Sequence, residues 1–236
     1  GRFERSAIFG SGPNEVVLTS AGFDDSFVAK VDVDGALEWV RRFGGRRNVD
    51  AVDVAVDPSG DVVVAGVFEN TASFGDDAQP GGRMTSAGST DVFVARLTAA
   101  GDLDWVRRIG GPPAETLTDM AISSSGDIVL TGEFFQSLEL SPTADIPPLT
   151  SAGRADQYIV QLDSAGDVVG GRGLGGPNPD FASPLTFDAA GRIVVAGSFR
   201  GAVDFASDLE PATLIAVDEA DAYVATLGPG LDLVSR

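Results

Sequence analysis

An all-β architecture follows from three features of the sequence. Phrases recur at a period of about 65 residues, the runs within them alternate apolar and polar residues, and 30 glycines among 236 residues punctuate those runs. No stretch sustains a 3.6-residue period, so almost no helix is expected. Composition narrows the function classes. Lys and Arg number 16 against 35 Asp and Glu, a net charge of −19, and there is no His and no Cys. That removes a disulfide framework, a thiolate nucleophile, a cysteine zinc site and the usual general base. The charge repels nucleic acid and anionic lipid, whose binding rests on Lys and Arg.

The first phrase reads FDDSFVAKV (23–31), STDVFVARL (89–97), RADQYIVQL (154–162) and EADAYVATL (219–227). Its shared acid, Asp25, Asp91, Asp156 and Asp221, advances in steps of 66, 65 and 65. The second phrase, GALEWVRRFGG (35–45), recurs as GDLDWVRRIGG (101–111), as GDVVGGRGLGG (166–176) and as the trace LDLVSR at 231–236. A third, GDVVVAGVF (60–68), returns as GDIVLTGEF (126–134) and GRIVVAGSF (191–199), and Gly1 and Phe3 align with Gly66 and Phe68.

Each repeat encodes four strands. In the first phrase Phe93, Ala95 and Leu97 share one face with Val94 opposite. The second carries Trp39 or Trp105 after a turn at Asp34-Gly35 or Ala100-Gly101, where glycine supplies positive φ. A Gly-Gly pair then breaks the chain. A third strand at 52–57 or 118–123 turns at Pro58-Ser59-Gly60 or Ser124-Ser125-Gly126 into a fourth at 62–68 or 128–134. That fourth run is almost continuously apolar, as a strand buried on both faces requires. Four strands per repeat with tight glycine turns predict a β-propeller of four-stranded antiparallel blades, here an incomplete ring of about three and a half. The period exceeds that of common blades because of connections of about twenty residues at 70–90, 136–155 and 201–220. These are expected to emerge on one face.

The run G-x-F … L-T-S-A-G-x-x-D-x-F-V-A-K … G-x-x-x-W-x-R-x-x-G-G resembles the bacterial β-propeller repeat called SBBP. Thr19-Ser20-Ala21-Gly22, Thr85-Ser86-Ala87-Gly88 and Thr150-Ser151-Ala152-Gly153 match its central phrase. The resemblance covers nearly the whole chain. It implies a propeller of seven blades in a large exported or cell-surface bacterial protein, with no known catalytic residues and no defined ligand. Departures are the loss of Trp at Gly170 and Leu233, and of Ser-Ala-Gly before Asp221, where packing is expected to be poorer.

The phrase order sets the units: a partial blade at 1–45, then blades at 46–111, 112–176 and 177–236. An open arc would leave apolar blade faces exposed, so the remaining blades are expected elsewhere in the same parent chain. No apolar run reaches the 18 or more residues of a membrane helix, which argues against membrane insertion, and the start does not read as a signal peptide; both termini are expected to be cut points in a longer chain.

Several constellations bear on chemistry. Trp39 and Trp105 each precede a glycine by five residues, which suits packing anchors between blades; a quinone-cofactor site as in quinoprotein propellers is the alternative. The repeated Asp suits turn or inter-blade hydrogen bonding, with calcium as the alternative. Asp32-x-Asp34-Gly35-x-x-Glu38 resembles a calcium loop, but its equivalents at 98–101 and 163–166 lose the ligands, leaving a hairpin turn. Carboxylate pairs for glycoside hydrolysis do not stand out among 35 acids. Arg41-Arg42, Arg46-Arg47 and Arg107-Arg108 form basic islands expected to guard an outer edge. The third long connection holds Asp204, Asp208, Glu210, Asp218 and Glu219 without a cation, against near-balance in the others (Asp76, Asp77 and Arg83; Glu139, Asp145 and Arg154). These readings assign no catalytic, cofactor or metal residue. They predict a non-enzymatic interaction scaffold that meets a protein or carbohydrate ligand through its long loops.

Overall fold

A computed structural model describes residues 1–75, 81–142, 146–205 and 213–235. The chain is all-β and, among the described residues, every strand pairing is antiparallel. Among the described residues the only helical element is one 3₁₀ turn, Gly12–Asn14.

Three four-stranded sheets follow one another as simple meanders. One takes Val49–Val56, Val62–Phe68, Asp91–Leu97 and Leu103–Ile109. The next takes Asp119–Ile122, Ile128–Leu138, Leu149–Leu162 and Val168–Leu174. The last takes Phe181–Phe187, Ile193–Phe199, Asp221–Leu227 and Leu233–Ser235. Ahead of them lies a sheet of Arg2–Phe3, Asp25–Val31 and Leu37–Gly45. It is extended by Thr71–Phe74 and Arg83–Thr85, which belong to the next repeat.

Those last strands answer the expectation of long loops. Each connection folds back on itself as a hairpin: Ser6–Phe9 with Val16–Thr19, Thr71–Phe74 with Arg83–Thr85, and Ala202–Asp204 with Thr213–Ile215. In the third repeat the hairpin continues the main strands, pairing Leu138 with Leu149. Every hairpin leaves its strand through a left-handed residue, Arg5, Asn70, Gln136 or Gly201, at φ 58°, 61°, 57° and 72°. Alternation then buries Ala72 and Phe74, or Val203 and Phe205, on one face.

Neighbouring sheets are joined face to face by three apolar clusters. Phe43, Phe74, Phe68 and Phe93 meet between the first two, with Phe43 and Phe93 at 5.8 Å edge to face. Val92 and Val94 meet Leu130 and Val160, and Val129 and Ile159 meet Val195 and Leu227. The glycine of the third phrase makes room for the aromatic of the first. A Cβ on Gly66 would lie 2.7 Å from the Phe93 ring, and one on Gly132 2.7 Å from the Tyr158 hydroxyl.

The tryptophans span adjacent repeats. Trp39 Nε1 donates to the Ala99 carbonyl at 3.0 Å, and its ring lies on Gly101, where a Cβ would be 2.6 Å away. Trp105 covers Gly166 in the same manner, at 2.7 Å. In the third repeat the pair is inverted. Gly170 replaces the indole, and the receiving turn carries Leu231 at φ 61° where the others have glycine, with its Cδ1 3.9 Å from a Cβ built at Gly170. The side chain refills the space left by the indole, and a left-handed Leu is the conformational cost. Register also corrects one alignment. Leu233 pairs with Leu227 as Leu103 pairs with Leu97, so Leu233 is the partner of Leu103 and the lost Trp position is Ser235.

The inversion predicts a specific coupling. Leu231→Gly should lower stability by about 1–2 kcal/mol despite relieving the strained φ, because a cavity opens. Gly170→Trp should also destabilise, by collision with Leu231. The double variant should recover most of either loss, read as a non-additive cycle in urea unfolding.

Candidate functional site

The chemistry-bearing residues gather where one repeat hands over to the next. The first-phrase Asp enters a corner made by its own Thr-Ser-Ala-Gly turn and the Gly-Gly that ends the second phrase. Its carboxylate accepts the Ala N–H four residues upstream: Ala21 to Asp25 at 2.8 Å, Ala87 to Asp91 at 2.8 Å and Ala152 to Asp156 at 2.6 Å. Val217 serves Asp221 at 3.0 Å. The first three carboxyls are buried.

Glycine is obligatory at the crossing. A Cβ on Gly44, Gly110 or Gly175 would fall 2.1, 2.5 or 2.3 Å from the Asp carboxyl group. One on Gly45, Gly111 or Gly176 would fall 2.4, 2.4 or 1.8 Å from a carbonyl oxygen of the next hairpin.

An arginine closes the corner in two copies. Arg42 Nη1 donates to Asp25 Oδ2 at 3.1 Å. Arg108 donates to Asp91 Oδ2 at 2.8 Å and, through its other terminal nitrogen, to Glu139 Oε2 at 2.8 Å. These arginines correct the expectation of basic islands. Alternate strand residues face opposite ways, so Arg42 and Arg108 turn inward, only 19% and 14% exposed, while Arg41 and Arg107 reach the next repeat at Asp102 and Asp167. In the third copy the inward position is Gly173, and among the described residues no arginine pairs with Asp156.

Sequence reasoning missed a second carboxyl at this corner. Glu115 Oε2 accepts the Gly111 N–H at 3.1 Å, and Asp180 Oδ2 accepts the Gly176 N–H at 2.7 Å. An acid four residues after the second glycine, present in both copies, was the available signal. In the first copy Val49 stands there, and Gly45 donates to Asp25 itself at 3.2 Å. Burial, assisted by Asp91, pushes Glu115 up to about 8 despite the Gly111 N–H and Arg108. Burial, with Asp180 adding repulsion against the Ala152 N–H, pushes Asp156 up to about 6. Burial also raises Asp180, against the N–H groups of Gly176 and Arg200.

The other sequence candidates lie apart from this corner. Asp32 Oδ1 accepts the N–H groups of Asp34 and Ala36 at 2.9 and 2.8 Å, which makes the calcium-like stretch a hairpin turn. Among the described residues no three acids are grouped to hold a metal ion. Of the acids in the third connection, Asp204 lies in the hairpin and Asp218 and Glu219 are exposed; Asp208 and Glu210 lie outside the described residues, as do Asp76, Asp77 and Asp145.

Beside Asp156 lies a pocket of about 440 Å³, lined by Asp156, Arg172, Gly173, Asp204, Leu231 and Asp232 among others. An apolar cleft of about 410 Å³ lies between the first two sheets, beside Phe27, Trp39 and Val54.

No family model and no curated protein matches the chain. Among solved structures it is similar to a luciferin-regenerating enzyme at 15% identity and a TM-score of 0.33, over 92% of this chain. The chain spans 64% of the length of that protein. A likeness this loose carries neither fold nor activity.

Two outcomes follow for the corner. Arg108→Met should cost about 3 kcal/mol in chemical denaturation, since it strands the buried Asp91 charge, whereas Arg107→Met should cost less than about 1 kcal/mol. Stability should also fall as pH rises. Glu115 and Asp156 hold their protons more tightly folded than unfolded, so the unfolded chain binds fewer protons and the slope is negative. The loss begins above the ordinary carboxyl values of 3.8 and 4.5 and completes as pH passes about 6 for Asp156 and about 8 for Glu115. Glu115→Gln should flatten the upper part of that slope in melting curves taken from pH 5 to 8.5.

Proposed function

We propose that the four sheets are blades of a β-propeller segment, a partial blade at 1–45 followed by blades at 46–111, 112–176 and 177–236. In this reading the chain is a non-enzymatic repeat scaffold of an exported or cell-surface bacterial protein, of the SBBP type that its phrases resemble. The observation that carries the reading is that successive sheets meet through the same repeat positions. An indole lies on the turn of the next repeat, Trp39 on Gly101 and Trp105 on Gly166, and the second glycine of each Gly-Gly lies under a carbonyl of the next hairpin. A constant operation between neighbours favours a regular array about one axis. The hairpins leave equivalent positions of every repeat, which favours a shared binding face for a protein or carbohydrate ligand. The buried carboxyls of the corners are bonded to backbone N–H groups, which suits structural work better than hydrolysis.

The test is a reconstruction of the parent protein by electron cryomicroscopy, with glycan and protein arrays probed by the same material. A closed ring is expected, with array hits that vanish when hairpin tips are replaced and persist when Trp39 or Arg107 is changed. A straight stack of sheets would overturn the architecture. Turnover in a panel of glycosides or quinone-linked substrates would overturn the scaffold role.

A further inference from the structure

The strand that carries the first phrase is paired along its whole length in three sheets. Asp91–Leu97 meets Val62–Phe68, with Gly66 opposite Phe93, Val64 opposite Ala95 and Val62 opposite Leu97. Val160 and Leu162 likewise face Leu130 and Ile128, and Ala225 and Leu227 face Val195 and Ile193. In the first sheet the pairing stops short. Only Arg2 and Phe3 lie opposite Ser26 and Asp25, and Gly1 exchanges N–H and carbonyl with Phe27 at 2.9 and 2.8 Å. Gly1 thus holds the place of Gly66: a Cβ on it would lie 2.6 Å from the Phe27 ring.

Beyond Gly1 the edge is bare among the described residues. The main-chain groups of Ala29 and Val31 point the same way as those of Phe27, because orientation repeats every second residue of a strand. Their equivalents Ala95 and Leu97 are fully buried, whereas Ala29 is exposed and Val31 is 56% exposed. The apolar cleft of about 410 Å³ opens at this edge, and its far wall carries the exposed Val54 and Val56 of the second sheet. Register makes Val54 the counterpart of Met120 and Leu185, through pairing with Val64, Leu130 and Val195. Those counterparts are buried with residues of the sheet before them, Met120 with Val63 and Ala65, Leu185 with Val129. Each gives its N–H to an acid of that sheet's first strand, Asp53 Oδ2 at 3.2 Å and Asp119 Oδ2 at 2.8 Å. The Val54 N–H turns to its own Asp53 at 2.7 Å. The edge and the wall lack the same thing, two antiparallel strands joined by a turn as at 49–65.

We propose that this cleft receives a β-hairpin of the chain's own repeat type, presented by a second polypeptide, whose nearer strand adds antiparallel to 27–31 in the register that Gly1 sets. Among the described residues the chain's three such hairpins are each built into their own sheet, so none is spare. The nearer strand places apolar residues opposite Ala29 and Val31, as Val64 and Val62 stand opposite Ala95 and Leu97. The farther strand covers Val54 and brings an acid to its N–H. Main-chain bonds supply affinity and the apolar wall supplies selection. The seat follows from pairing among the repeats, lies apart from the connection hairpins, and holds whether or not the sheets close a ring.

The probe is a synthetic peptide with the sequence of residues 49–65, VDAVDVAVDPSGDVVVA, titrated into ¹⁵N-labelled protein beside a scrambled peptide of the same composition. Saturable shifts and slowed amide exchange are expected at Ala29, Val31 and Val54 with the repeat peptide and not with the scrambled one. Ala29→Pro removes a donor that faces the open edge, where proline is tolerated, and should weaken binding at least about tenfold. Val54→Lys puts a charge on the wall at an exposed position and should weaken binding as much, and it decides the matter if the proline variant does not fold. No saturable shift, or equal shifts with the scrambled peptide, would overturn the seat. Shifts at Val54 that spare Ala29 and Val31, or binding unchanged in a folded variant, would overturn strand addition.

Discussion

Everything in this molecule turns on the corner where a carboxylate meets a pair of glycines. Three chain segments converge there: the turn before the first-phrase Asp, the end of the Trp strand, and the hairpin of the following repeat. The Asp ties the first two together by accepting a backbone N–H and, in two copies, an arginine. The glycines let the third approach so closely that no Cβ fits on either. A buried carboxylate held this way must keep its donors, and so the spacing of Ala, Asp, Arg and Gly-Gly is a geometric requirement.

The copies show how such a requirement drifts. At the indole contact the third repeat exchanges large for small on one side and small for large on the other, Gly170 against Leu231, and the interface stays filled. At the Asp corner the same repeat has Gly173 in place of the arginine, and Asp156 Oδ1 is left without a hydrogen-bond donor. The two losses lie three residues apart on one strand and end differently, since a hydrocarbon gap can be filled by any side chain that reaches it. A stranded carboxylate needs a cation with the right donors.

Much of the fold was legible because each phrase encodes a whole strand with its turn. Asp-Gly and Pro-Ser-Gly turns, apolar alternation at Phe93-Ala95-Leu97 and the continuous run at 62–68 all sit in the expected strands. The hairpins were not legible. Three of them have strands of only three or four residues, and Thr71–Phe74 pairs with the Gly-Gly of another repeat, a contact invisible to local pattern. Arg42 and Arg108 read as surface charge because charge alone does not tell which face of a strand a residue occupies. Glu115 and Asp180 were lost among 35 acids, and only their common distance from Gly-Gly marks them.

Because Thr71–Phe74 hydrogen-bonds to Phe43, Gly44 and Gly45 of the sheet before it, the second repeat finishes the sheet of the first. Tension applied along the chain is therefore shared across that seam by a ladder of main-chain bonds as well as by side-chain packing. Main-chain bonding across the next two seams runs through the Gly110 N–H to the Glu139 carbonyl and the Asp204 N–H to the Gly175 carbonyl. Mechanical failure at the first seam should release the first two sheets together, unlike the bead-by-bead unravelling of a string of independent modules.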